Sequence, residues 1–154
     1  MSVEKVILTN KKARFLYNIL DTYEAGMVLK GTEVKSIRQS KVNIQESYAK
    51  IENNEVWLIN SNISAYESTG YWGHEPKRKR KLLLNSKEIR KLIEATQEKG
   101  LTLIPLKLYF KNGRAKIEIG VCKGKKIFDK REDISKKDAK RDMDRAGAYK
   151  LKNR

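Results

Sequence analysis

The chain has 154 residues, 35 Lys and Arg against 19 Asp and Glu, and a net charge of +16, enough for one domain with a real core and crowded for two. Its one cysteine, Cys122, rules out an internal disulfide and suits a reducing compartment. No run approaches the roughly 20 apolar residues of a membrane span, and Met1 to Asn10 lacks a signal-peptide pattern, so a cytoplasmic protein is expected.

Phe15 to Leu29 is rich in aromatic and aliphatic residues without a helical stripe and predicts a long strand, bent or bulged near Gly26. A short helix over Thr32 to Gln39 follows, with Thr32 as cap and Glu33 in the first turn, where the helix dipole favours an anion. Ser47 to Glu52 and Glu55 to Asn60 read as strands joined by Asn53 and Asn54, which tolerate positive φ. Ile63 to Pro76 loosens around Gly70, Gly73 and Pro76 into a loop. Ile89, Leu92, Ile93 and Thr96 fall at i, i+3, i+4 and i+7 and define a helix, capped by Asn85 or Ser86 and stopped by Gly100.

Leu101 to Phe110 is a β run in which Pro105, lacking an N–H, requires a bulge or a free edge. Asn112-Gly113 makes a hairpin turn, and Ala115, Ile117, Ile119 and Val121 alternate with Lys116, Glu118 and Gly120, giving one buried and one wet face. About six strands and two helices, antiparallel by their turns, predict a mainly β domain over residues 1–128, an OB-fold-like barrel. Residues 129–154 form a basic tail. Its ion pairs Asp138–Arg141 and Asp142–Arg145 and its thin stripe of Ala139, Met143 and Ala146 predict a helix too weak to stand alone, mobile when free and formed against a polyanion.

The positive charge is concentrated. Residues 75–91 hold 8 Lys and Arg against 2 acidic residues, and residues 122–154 hold 13 against 6. Such patches attract polyanions because each neutralised phosphate releases a condensed counterion, which makes RNA the first partner to consider. The run Lys77-Arg78-Lys79-Arg80-Lys81 repels itself unless a polyanion is near; the alternatives are a solvated loop and, with Pro76 ahead of it, a nuclear import signal. Leu82-Leu83-Leu84 anchors it. Glu33 either supports its helix N-terminus or accepts hydrogen bonds from base or ribose donors. Asn85 is either a cap or a donor–acceptor pair for a base edge, and Tyr23, Tyr66, Tyr71 and Trp72 either stack on bases or belong to the core.

Catalysis finds little support. His74 is the one histidine and Cys122 the one thiol, so neither a His-based triad nor a zinc cluster can be assembled, and no cofactor is expected. Asp129, Glu132 and Asp133, set among Lys130 and Arg131, offer carboxylates for Mg²⁺ but read as charge balance; a metal-dependent nuclease using Asp129 and Asp133 is the enzyme alternative.

Gly31-Thr32-Glu33-Val34-Lys35-Ser36 with Ile37-Arg38, then Arg80-Lys81-Leu82-Leu83-Leu84-Asn85, Lys123-Gly124-Lys125-Lys126 and Asp129-Lys130-Arg131, resemble the SsrA-binding proteins, the small protein B family. Asn10-Lys11-Lys12-Ala13 and Tyr23-Glu24-Ala25-Gly26 fit as well, so the resemblance runs in order from Asn10 to Arg131. It implies an OB-like barrel, not an enzyme, that binds the tRNA-like part of transfer-messenger RNA (tmRNA) and brings it to stalled bacterial ribosomes for trans-translation. The tail would occupy the decoding centre and the empty mRNA channel. Implied partners are tmRNA, 16S ribosomal RNA and the stalled 70S ribosome, with elongation factor Tu and alanyl-tRNA synthetase acting on the same RNA; a monomer and no membrane are expected.

The expected tmRNA-binding set is Glu33, Lys35, Arg38, Lys77, Arg78, Arg80, Leu83 and Asn85, with Lys11 and Lys12. The expected ribosome-facing set is Lys123, Lys125, Lys126, Asp129, Lys130, Arg131, Lys136, Lys137, Lys140, Arg141, Arg145 and Tyr149. Ala146-Gly147-Ala148-Tyr149 departs from the bulky aliphatic residues that usually end the family's tail helix. A structural ribosomal or general RNA-binding protein is the alternative function.

Overall fold

Strands that alternate in and out, joined by turns that tolerate positive φ, can close only by meeting their own edge, and six of them do so here. The structure is a computed structural model that describes residues 3–65 and 73–125. In chain order its elements are β1 (Glu4–Thr9), α1 (Lys11–Leu16), β2 (Tyr17–Met27), α2 (Gly31–Arg38), β3 (Val42–Asn43), β4 (Tyr48–Glu52), β5 (Glu55–Ile59), β6 (Asn62–Ile63), β7 (Arg80–Leu83), α3 (Ser86–Ile93) with a π turn at Glu94–Glu98, β8 (Thr102–Lys111) and β9 (Arg114–Gly124). The ring runs β8, β4, β5, β7, β2, β9 and back to β8, every pairing antiparallel. β4 and β8 share one pair, Ala49 opposite Leu103, because β1 takes the same edge of β8 from Lys107 to Lys111. The chain divides after Gly124 into two units, and the barrel is the first of them. Among the described residues no helix is long and apolar enough to cross a membrane.

The ring is filled by Val56, Leu58, Leu82, Leu103, Leu108, Ile117 and Ile119, and Ile37 and Leu92 bring α2 and α3 into the same core. Each such side chain, fully buried, contributes about 1.5–3 kcal/mol. The turns follow the asparagines: Asn53, Asn54 and Asn112 adopt φ of 51°, 61° and 52°, and Gly113 adopts 79°. Asn85 caps α3, accepting the Glu88 N–H at 2.9 Å while Glu88 Oε1 accepts the Asn85 N–H at 3.3 Å.

Four expectations are corrected. The strand expected from Phe15 begins at Tyr17, because Phe15 and Leu16 belong to α1. The bulge in β2 lies between Ile19 and Asp21 rather than near Gly26, which stays in register opposite Leu83. α2 starts from Lys30, not Thr32: Glu33 Oε1 accepts the Lys30 N–H at 2.8 Å, and the Thr32 hydroxyl is engaged by His74 Nδ1 at 2.8 Å. Finally, β9 has no wet face at its far end, where α1 covers the outer side through Ala13, Ile104, Leu106 and Cys122. Burial there pushes the Cys122 thiol up to about 11, so it is a neutral apolar group.

Asn10 ties this outer layer to the barrel. The β8–β9 register shifts between Pro105 and Lys107, as a residue without an N–H requires. The carbonyls freed by that bulge go to Asn10, whose Nδ2 donates to Pro105 O at 2.9 Å and whose backbone N–H donates to Leu106 O at 2.7 Å. Its Oδ1 accepts the Ala13 N–H at 3.2 Å and so caps α1. Asn10→Ala therefore loses a cap and leaves a buried carbonyl without its donor, and urea unfolding should show a loss of about 2–3 kcal/mol.

Candidate nucleic-acid interface

The run Lys77 to Lys81 does not stand as a free polycation. Strand alternation sends Arg80 inward beside Leu82 and turns Lys79 and Lys81 outward. Arg80 is fully buried: its Nε donates to Glu33 Oε2 at 2.6 Å, Nη1 to Ser61 O and Oγ at 3.0 and 3.1 Å, and Nη2 to Glu75 O at 3.3 Å. Arg78 Nη2 donates to the other Glu33 oxygen. Lys79 is 2.6 Å from Glu52 and lies over the Trp57 ring, and Lys81 is 3.2 Å from Glu55. The expectation that only an external polyanion relieves the run's repulsion is corrected, since carboxylates of this chain already engage four of its five cations.

Glu33 is wholly buried, with Arg78 and the Lys30 N–H on Oε1 and Arg80 on Oε2. Burial is the strongest influence and would raise its carboxyl; the hydrogen bonds from Arg78, the Lys30 N–H and Arg80 outweigh it and hold the group below its ordinary value. Burial likewise lowers Arg80, opposed by Glu33, and a guanidinium stays protonated throughout. Glu33 and Arg80, expected to touch RNA, are thus enclosed and bonded to each other; they shape the surface from beneath. His74, 5% exposed, closes the same region. Its Nε2 must donate to the Ile63 carbonyl, 2.9 Å away, so in the neutral ring Nδ1 accepts from Thr32.

The remaining expected residues do not all share one place: Lys77 lines a separate hollow with Asn62, Ser64 and Glu75. Leu83, 52% exposed, stands beside Gly26, and an added Cβ on that glycine would lie 3.4 Å from Leu83 Cβ. Leu83 and Val34 line a groove of about 280 Å³ with Met27, Leu29 and Phe110, rimmed by Arg114 and Lys116. Lys35 and Arg38 are exposed on α2, with the Arg38 guanidinium 5.6 Å from the centre of the Phe110 ring. Lys77 and Asn85 are exposed, and the cap occupies only the Oδ1 of Asn85. Apolar floor and cationic rim suit nucleotides: bases and sugars on the aliphatic surface, phosphates on the guanidinium and ammonium groups.

Lys11 and Lys12 do not join this group. They sit on α1, at the opposite end of β2, where Tyr17 pairs with Gly124 and Asn18 with Lys123. Ten strand residues separate that end from Met27, about 33 Å, and Lys12 is paired with Glu46. Of the tail set, Lys123 is exposed and Lys125 is the last residue described; Lys126, Asp129, Lys130, Arg131, Lys136, Lys137, Lys140, Arg141, Arg145 and Tyr149 lie outside the described residues, as do Tyr66, Tyr71 and Trp72. Tyr23 packs half-buried against the core. Sequence reasoning missed Arg114 and Lys116, although the alternation of residues 115–121 already turned Lys116 away from the core. Among the described residues no group of three His, Cys, Asp or Glu is placed to hold a metal.

A closed antiparallel barrel carrying an apolar groove with a cationic rim is a nucleic-acid-binding module of OB type. The family model described as SmpB protein matches residues 7–149, and the chain belongs to that family. It is 58% identical over 144 residues to the SsrA-binding protein of Carboxydothermus hydrogenoformans, covering 94% of this chain and 97% of that one. The SsrA-binding protein of Bacillus pumilus is 59% identical over 142 residues, covering 92% and 91%. Among solved structures, one described as "tmRNA-SmpB: a journey to the center of the bacterial ribosome" is 50% identical, covers 78% of this chain and 85% of its own, and superposes with a TM-score of 0.66.

The depressed Glu33 carboxyl stabilises the fold only while ionised. That contribution is complete above its unfolded value near 4.5 and is lost as pH falls through the folded value. Glu33→Gln leaves Arg80 buried without its counter-charge and should lower stability at pH 7 by about 3–5 kcal/mol. Chemical unfolding at several pH values should show the gap to the parent shrinking below pH 4.5.

Proposed function

We propose that the chain binds tmRNA through its tRNA-like domain and delivers it to stalled bacterial ribosomes for trans-translation. The observation that carries the reading is the Leu83 groove, an apolar floor with Arg114 and Lys116 on its rim, in a chain of the SmpB family. Leu83 and the Asn85 amide contact the RNA there, and Lys35, Arg38, Lys77, Arg114 and Lys116 neutralise its phosphates. Glu33 and Arg80 act as positioning residues. Their ion pair holds α2 against β7, and Arg78, 27% exposed, is presented to the RNA with its orientation fixed.

Lys11, Lys12, Lys123 and Lys125 belong with the ribosomal side, together with the basic tail from residue 129. The tail takes helical form in the decoding centre and mRNA channel, where 16S ribosomal RNA neutralises Lys126, Lys130, Arg131, Lys136, Lys137, Lys140, Arg141 and Arg145, and Tyr149 packs against it. The protein works as a cytoplasmic, non-catalytic monomer. Elongation factor Tu and alanyl-tRNA synthetase act on the RNA it carries.

Capture of the full chain from bacterial cells followed by RNA sequencing should return tmRNA as the dominant species; recovery of bulk tRNA or rRNA alone would sink the reading. Arg114→Ala with Lys116→Ala should flatten the dependence of log K on log salt by about 1.5. Truncation after Arg131 should leave tmRNA affinity within about threefold while abolishing peptide tagging on non-stop messages, because the groove and its cations Arg114 and Lys116 are retained.

A further inference from the structure

The outer face of β4, β5 and β7 assembles the ingredients with which an OB-type barrel holds a single strand, cations interleaved with an aromatic ring. Lys50 lies opposite Trp57, Trp57 opposite Lys81, and Lys79 Nζ stands 4.5 Å from the Trp57 ring centre. Two carboxylates occupy it instead. Glu52 Oε2 is 2.6 Å from Lys79 Nζ and its Oε1 3.8 Å from Lys50 Nζ, while Glu55 Oε1 is 3.2 Å from Lys81 Nζ. Three lysines alone would present +3; with the two glutamates the face carries +1.

Stability does not account for this arrangement. Glu52 and Glu55 directly oppose each other across the Asn53–Asn54 turn, a like-charge pair that disfavours the hairpin. Exposed ion pairs, moreover, contribute little to folding. The same contacts do matter to an approaching polyanion, which must displace a carboxylate from each lysine and meets the repulsion of both.

We propose that Glu52 and Glu55 are specificity-determining residues that close the β4–β5–β7 face to RNA phosphates and confine RNA to the Leu83 groove. The inference rests on the RNA-binding reading above. RNA that offers only charge finds two fewer free cations, whereas RNA that fits the groove loses nothing.

The test uses the full chain carrying Glu52→Gln and Glu55→Gln, with filter binding across a salt series to a transcript of the tRNA-like domain and to bulk tRNA. For bulk tRNA the double variant should bind about tenfold more tightly at low salt, with a salt slope steeper by about 1.5, as two freed cations require. The tRNA-like transcript should change by less than about threefold, because its contacts lie in the groove. Adding Lys79→Gln and Lys81→Gln should return bulk tRNA to the parent's affinity, and Glu52→Gln alone should give about half the steepening. Unchanged bulk tRNA binding, or equal tightening of both RNAs, overturns the inference. A parent chain without preference for the tRNA-like transcript overturns the RNA reading itself, and the inference with it.

Discussion

A carboxylate enclosed between two guanidiniums organises the groove end of this barrel. Glu33 takes Arg80 on one oxygen and Arg78 on the other, and Arg80 extends the connection to Ser61 and to the Glu75 carbonyl. α2, β7 and the segments at 61 and 75 are thereby held to one point. Desolvating such a pair costs about as much as its attraction returns, so it adds little net stability over an apolar substitute. What it supplies is geometry: few alternative packings satisfy the four directed hydrogen bonds that the buried Arg80 donates. One negative charge beneath two positive ones also leaves +1 near the surface, which adds to the field seen by a polyanion.

That field is shaped as much by acids as by bases. The chain's excess of cations is large, yet Glu33, Glu52 and Glu55 engage most of the densest run. Arg114 and Lys116, spread along β9, border an aliphatic floor without a carboxylate among the groove's lining residues. Undirected attraction acts on any polyanion, whereas a carboxylate beside a cation weakens that cation's pull locally. A map of net charge along the chain does not show these pairings.

The sequence was legible where a residue's local chemistry admits one outcome. Asn53-Asn54 and Asn112-Gly113 make turns because they accept positive φ, Pro105 forces a bulge because it has no donor, and Asn85 with Glu88 caps a helix by reciprocal bonds. It was illegible where a distant partner decides. Phe15 favours strand by propensity and Leu16 does not oppose helix, and the tie from Asn10 to the Pro105 bulge winds both into α1. Thr32 is a better cap than Lys30, but His74 engages its hydroxyl from 42 residues away. Arg80 is the sharpest case. Arginine is almost never fully buried unless paired, and the Leu82-Leu83-Leu84 run masks the alternation that turns it inward, so only knowledge of Glu33 across the barrel places it.

The site divides along a mechanical line. β2 and β9 are 11 residues each and pair from Tyr17–Gly124 to Gly26–Lys116, with one bulge at Leu20. β8 pairs along β9, and β7 joins β2 at Gly26 and Met27, so the pair is braced along one edge and at the groove end, and its ends lie about 33 Å apart. The groove opens at one end, and the last barrel residue, Gly124, stands at the other beside α1 and its lysines. The bulge at Leu20 falls on β2 alone, since Ile19 and Asp21 face the successive residues Cys122 and Val121, and a bulge of this kind adds local twist while the ladder resumes on either side of it.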